Sequence, residues 1–134
     1  MGSGAQQFRR FDADAPPILN TLTELRQGDG LWSLLRAGDV DWPQPLITRT
    51  RDVPLEAGFN LVTWTGPDLT SVDVAVAGFA DRLQALFTWD EERQRFNRFS
   101  PDAPAAVNTA TTLRFGEGVW VQLPGAAVWN QPSP

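Results

Sequence analysis

The chain has 134 residues, a net charge of −5 and a pI near 4.5, so nucleic acid and anionic membrane surfaces, which bind through charge neutralisation, are poor partners. All 11 basic residues are Arg, and the chain has no Lys, His, Cys or Tyr. That removes disulfides, thiolate and Schiff-base chemistry, and the commonest general base and metal ligand.

At this length the chain is domain-sized, and eight Phe and six Trp give it apolar surface to bury. Met1 to Gly4 read as an expression scar and carry no fold information. The chain proper opens on a short β-prone run, Gln7 to Phe11. Pro16 to Leu22 then suggests a short helical turn, because Pro suits a first helical position. Gly28-Asp29-Gly30 reads as a tight turn into a strand at 31–35, and a short strand follows at 40–44. The alternating stretch 46–53 could add another.

A β-rich run, Gly58 to Thr65, ends at the Gly66-Pro67 turn signal. Leu69, Val72, Val76, Phe79 and Leu83 then recur at spacings of three and four, which predicts an amphipathic helix over 70–83. Gly78 lies inside that helix, and a close packing contact would explain it. Strands at 85–89 and 95–99 flank the polar turn 90–94, a hairpin. A second Pro-initiated turn (104–110), a Gly116-Glu117-Gly118 turn and strands at 119–123 and 128–131 complete the series.

The chain also matches itself. Residues 8–32 align with 96–120 at an offset of 88, with 14 identities in 25 ungapped positions. Phe8, Asn20, Leu25, Gly30 and Trp32 fall on Phe96, Asn108, Leu113, Gly118 and Trp120. A one-residue gap then places Trp42 on Trp129. The reading is a partial repeat R1 (5–45), a linker (46–57) and a complete unit (58–132) made of an unduplicated half, L2, and a second copy, R2. The expected architecture is α+β, mostly antiparallel sheet with one helix, packed as one globular domain with an internal pseudo-two-fold. The R1 return strand lacks its hairpin partner, so it is expected to pair with L2 or with another chain.

Several motifs in order, Gly58-Phe59-Asn60-Leu61-Val62, Trp64-Thr65-Gly66, Trp89-Asp90, Asn108-Thr109 and Gly116-Glu117-Gly118-Val119-Trp120-Val121, resemble a tandem repeat module of bacterial secreted and surface proteins. Phe59 and Val119 stand where that repeat carries Trp and Tyr. The resemblance covers L2 and R2 fully and R1 in part. It implies an extracellular or cell-surface setting and a scaffold or binding role, and it supplies no catalytic motif.

Trp32, Trp64, Trp89 and Trp120 are expected to be core, because Trp is highly buried on average. Trp42 and Trp129 lie among polar residues and Pro, and are the candidates for stacking on sugar rings. Arg10 and Arg98, in the matching strands, are candidates for a carboxylate or sulfate group on a polysaccharide, against the alternative of charge that protects a sheet edge. Asp12, Asp14, Asp102 or Asp90-Glu91-Glu92 are the candidate carboxylates for glycoside hydrolysis, but their turn contexts favour backbone capping. No metal site, cofactor or membrane span is expected. The leading expectation is a non-enzymatic structural or adhesive repeat whose partners are neighbouring repeats. A carbohydrate-binding module comes second and a carboxylate hydrolase third.

Overall fold

The computed structural model describes residues 8–26, 29–44 and 50–134. The expectations that fall on residues 1–4, Gln7, Gly28 and the first residues of the linker lie outside those ranges.

Eight strands follow one another after residue 50: β1 (Arg51–Leu55), β2 (Gly58–Thr63), β3 (Thr70–Ser71), β4 (Ala85–Asp90), β5 (Arg95–Phe99), β6 (Thr112–Leu113), β7 (Gly118–Leu123) and β8 (Ala127–Gln131). All pairings are antiparallel. The largest sheet has the order β2-β7-β4-β5, and β1-β8 and β3-β6 form two-stranded ribbons. The fold is mainly β. Residues 51–55, expected as the end of a linker, extend the complete unit on its N-terminal side.

Helix is scarce, which corrects the expected helix over 70–83. The only α-helix among the described residues is α1, Val72–Ala75. Beyond it the chain runs through tight turns. Phe79 N–H donates to Val76 O, Arg82 N–H to Phe79 O and Leu83 N–H to Ala80 O. These i→i−3 bonds bury Val76, Phe79 and Leu83 on one side, as a helix would. Leu69, read as the first residue of the apolar stripe, is instead exposed at φ 58°. Nothing lies within 4 Å of a Cβ built on Gly78, so no packing contact accounts for that glycine.

Strand alternation sorts the four-stranded sheet into two faces. Val119, Val121 and Leu123 of β7 point with Val62 and Leu86 into the core, which α1, β1 and β8 cover. Trp64 and Trp129 fill its centre, stacked at 5.6 Å, and Phe79 lies 5.4 Å from Trp129. Both indoles are satisfied: Trp64 Nε1 donates to Pro67 O and Trp129 Nε1 to Ala75 O. Two buried amides tie segments together. Asn60 bonds the Glu56 backbone on both sides and Val121 O. Gln131 Oε1 accepts the Thr65 amide and hydroxyl.

The opposite face carries Phe59, Phe87, Trp89, Phe96 and Trp120. Cross-strand pairing explains the row, because Phe87↔Trp120 and Trp89↔Phe96 are direct partners. Edge-to-face contacts link it, Trp89–Phe96 at 5.0 Å and Phe59–Trp120 at 6.3 Å.

Candidate interaction surface

R1 lies against that aromatic face. Phe8 meets Trp120 at 5.7 Å with rings at 87°, and Trp32 meets Phe96 at 6.0 Å, also at 87°. Phe8 aligns in sequence with Phe96 and Trp32 with Trp120, so each contact sets a Phe of one segment against a Trp of the other. The turn at Asp29–Gly30 adds backbone bonding to the free edge of β2. Asp29 bridges Val62, Gly30 N–H donates to Leu61 O at 3.3 Å, and Asp29 O accepts the Thr63 hydroxyl at 2.7 Å. A Cβ on Gly30 would lie 2.5 Å from Leu61 Cγ, so only glycine permits this approach.

The matching segments also bond internally in the same way. Arg10 N–H donates to the Thr21 hydroxyl at 3.0 Å, and Arg98 N–H to the Thr109 hydroxyl at 3.0 Å. Asn20 Oδ1 accepts the Asp12 amide at 3.0 Å, and Asn108 Oδ1 accepts the Ser100 amide at 3.0 Å. Each Asn returns a bond from Nδ2 to the carbonyl of the same residue. Arg26 N–H donates to the Asp29 carboxylate and Arg114 N–H to the Glu117 carboxylate. Both Pro-led segments form 3₁₀ turns, Pro17–Leu19 and Ala105–Val107, ending on Asn20 and Asn108 with φ of −87° and −85°.

Burial is where the copies part. Leu113 is 0% exposed and Leu25, its counterpart, 52%. Leu123 is 1% exposed against 52% for Leu35, and Trp129 is 1% against 55% for Trp42. In R2 these side chains belong to one buried cluster with residues of β1, β2, α1 and β4. Among the described residues nothing equivalent to 50–92 covers their counterparts in R1. For the same reason the expected R1 strands at 8–11, 31–35 and 40–44 do not form. The residues they align with pair with β4, β2 and β1, and no such partner strand lies beside them among the described residues. The expected pairing of the R1 return strand with L2 is likewise absent among the described residues, and the Asp29–Gly30 turn makes the backbone contact instead.

The uncovered face is concave. It forms a cleft of about 920 Å³ lined by Leu25, Leu31, Leu35 and Trp42, with Asp12, Asp14 and Arg36 at its polar rim. Arg36 pairs with Asp14 and lies 3.6 Å from Asp12. A second cleft, of about 860 Å³, runs between Trp32, Trp89 and Phe96 and the turn at Arg114–Gly118.

Of the four proposed site residues, Trp42 lines the first cleft and is half exposed. Trp129 is sealed in the core, which corrects the expectation of an exposed ring: along β8 it occupies an inward position between outward Val128 and Asn130. Arg10 is exposed and pairs with Asp12 at 3.2 Å. Arg98 is exposed on β5, opposite Phe87. The arrangement does not bring Trp42 and Trp129 together as one stacking platform. Trp64 is core as expected, Trp89 and Trp120 are half-buried on the aromatic face, and Trp32 is half exposed there. Leu25, Leu31 and Leu35 were not singled out from sequence. Their alignment with Leu113, Val119 and Leu123 was the available signal.

The carboxylates act locally. Asp12 accepts the Asp14 amide. Asp90 accepts the Arg93 amide and the Arg93 guanidinium, and these, with a smaller part from the Glu92 amide, hold its carboxyl below the usual range. Glu117, in the second cleft, goes the other way: burial raises it, opposed by the Arg114 amide and guanidinium and assisted by Asp68. Among the described residues no group of three or more His, Cys, Asp or Glu could hold a metal ion, and no helix is long and apolar enough to cross a membrane. No family model, curated protein or solved structure matches the chain.

Proposed function

We propose that the chain is part of a structural repeat protein, in which a unit built from residues 50–132 is joined to a second, partial copy of its own R half. The joint is an aromatic face-to-face contact related by an internal two-fold. The observation that carries this reading is the reciprocal pair Phe8–Trp120 and Trp32–Phe96, made by residues that align in sequence. The shared Asn-centred loop, with the same bonds in both copies, supports it independently. The role is to space and join repeats without catalysis, in the extracellular or surface setting that the sequence resemblance implies.

The test is a fragment of residues 50–134 compared with the whole chain. The reading expects the fragment to fold as a monomer and to retain the near-ultraviolet signal of the Trp64–Trp129 stack. A fragment without cooperative unfolding would refute an independent repeat unit. A second reading, binding of a carbohydrate, draws on Trp42, half exposed in a cleft beside Arg10, Arg36, Asp12 and Asp14. Glycan-array binding by the whole chain that disappears in Trp42→Ala would favour it over the structural reading.

A further inference from the structure

We infer that the concave face of R1 is a docking surface for an L-type half, a unit of strands and one short helix built like residues 50–92, supplied by an adjoining repeat. The inference rests on the repeat reading above and names the partner of its uncovered face.

The argument is positional. Leu113, Val119, Leu123 and Trp129 of R2 are buried by β1, β2, α1 and β4 of the same unit. Their aligned residues in R1, Leu25, Leu31, Leu35 and Trp42, line one cleft and face solvent. Phe8 and Trp32 of R1 contact the aromatic face of the complete unit by their ring edges and stay half exposed or more. In β7 pairing separates two faces, with Trp120 on the aromatic side and Val119 and Val121 on the core side; in R1, where 31–35 is unpaired, Leu31 and Trp32 both line the first cleft. What covers the second face in R2 is known residue by residue, so the chemistry of the missing cover is known too. It brings a β2-like strand to pair with 31–35, a β1-like strand to pair with 40–44, and a carbonyl like that of Ala75 to accept the Trp42 indole N–H.

A second copy of this chain does not meet the need. Each chain holds two R halves and one L half. Any exchange that covers R1 with a partner's L2 uncovers that partner's R2, and the number of bare faces is unchanged. The occupant is therefore an L-type half in addition to the one present here.

The experiment places a second copy of residues 50–92 directly before Ala5, the position that aligns with Arg93, so that the register of the unit is kept. Indole N–H exchange is followed by nuclear magnetic resonance, with Trp42→Phe used to assign the Trp42 signal. Protection of that N–H to the level of Trp129 in the extended chain, from rapid exchange in the original, is the expected result. Trp42→Ala should then lower the melting temperature of the extended chain by about 10 °C or more, and leave that of the original nearly unchanged. A Trp42 that exchanges as fast in the extended chain as in the original overturns the proposal, as does a silent Trp42→Ala in both. That outcome leaves the repeat reading standing, since the fragment 50–134 tests it separately. Light scattering of the original chain is expected to give a monomer; a dimer that protects Trp42 would assign the surface to a second copy and overturn the occupant named here.

Discussion

Replacing Trp129 and Trp42 by Ala, one at a time, probes the difference between the two copies in energetic terms. Trp129 is fully buried, stacked on Trp64 at 5.6 Å, in contact with Phe79, and bonded through Nε1 to Ala75 O at 2.8 Å. Burying a Trp removes about 150–250 Å² from water, about 4–6 kcal/mol at 25 cal/mol per Å². Alanine keeps a small part of that, and partial collapse of the cavity recovers more. The expected loss is therefore about 3–5 kcal/mol, with the orphaned Ala75 carbonyl pushing toward the upper end. Trp42 has no such shell, and its replacement should change stability by less than about 0.5 kcal/mol. Urea unfolding followed by circular dichroism reads both. Where Trp129→Ala proves too unstable to fold, Trp129→Phe gives the same ordering at smaller size. Equal losses for Trp42→Ala and Trp129→Ala would refute the burial assignment on which the uncovered R1 face depends.

Gly78→Ala should stabilise by about 0.4–1 kcal/mol, because a Cβ there meets nothing and the unfolded chain loses freedom; a lower melting temperature would show a hidden contact. Asn108→Ala removes both bonds that brace the loop of R2 and should cost about 1–3 kcal/mol, while Asn20→Ala should cost less, since the R1 loop it braces closes over no core; thermal unfolding compares them. Glu117 is raised by burial, so the native state holds its proton to higher pH than the unfolded chain. Stability from this group is complete below the ordinary glutamate range and falls as pH rises through the raised value. Glu117→Gln keeps an acceptor for the Arg114 amide and removes the charge, so its stability relative to the parent should improve as pH rises from the ordinary glutamate range through the raised value. A difference that does not vary with pH would contradict the cause.

The strands of the complete unit were legible because their signals are local. Gly58 to Thr65 is a β-rich run that stops at Gly66-Pro67, and the hairpin of β4 and β5 is framed by its polar turn. The helix was misread because a series of tight turns places Val72, Val76, Phe79 and Leu83 on one side at the same spacing a helix would use. Trp129 was misread because its neighbours are polar. In a strand it is the alternate positions that share its environment, and Ala127 and Gln131 are both buried. The buried amides of Asn60 and Gln131 had no signal, since their partners lie up to 66 residues away. R1 was the hardest part. Its sequence encodes strands as clearly as R2 does, yet a strand needs a neighbour to bond, and residues 50–92 serve only one copy.

The central proposal is that the two matching segments face each other about a two-fold, each giving a Phe to the other's Trp. A single nuclear Overhauser spectrum of the whole chain tests it. Cross-peaks between the rings of Phe8 and Trp120 and between those of Trp32 and Phe96, of comparable intensity, are the predicted result. Cross-peaks from one pair without the other would contradict it, because a two-fold contact cannot be made in one direction alone.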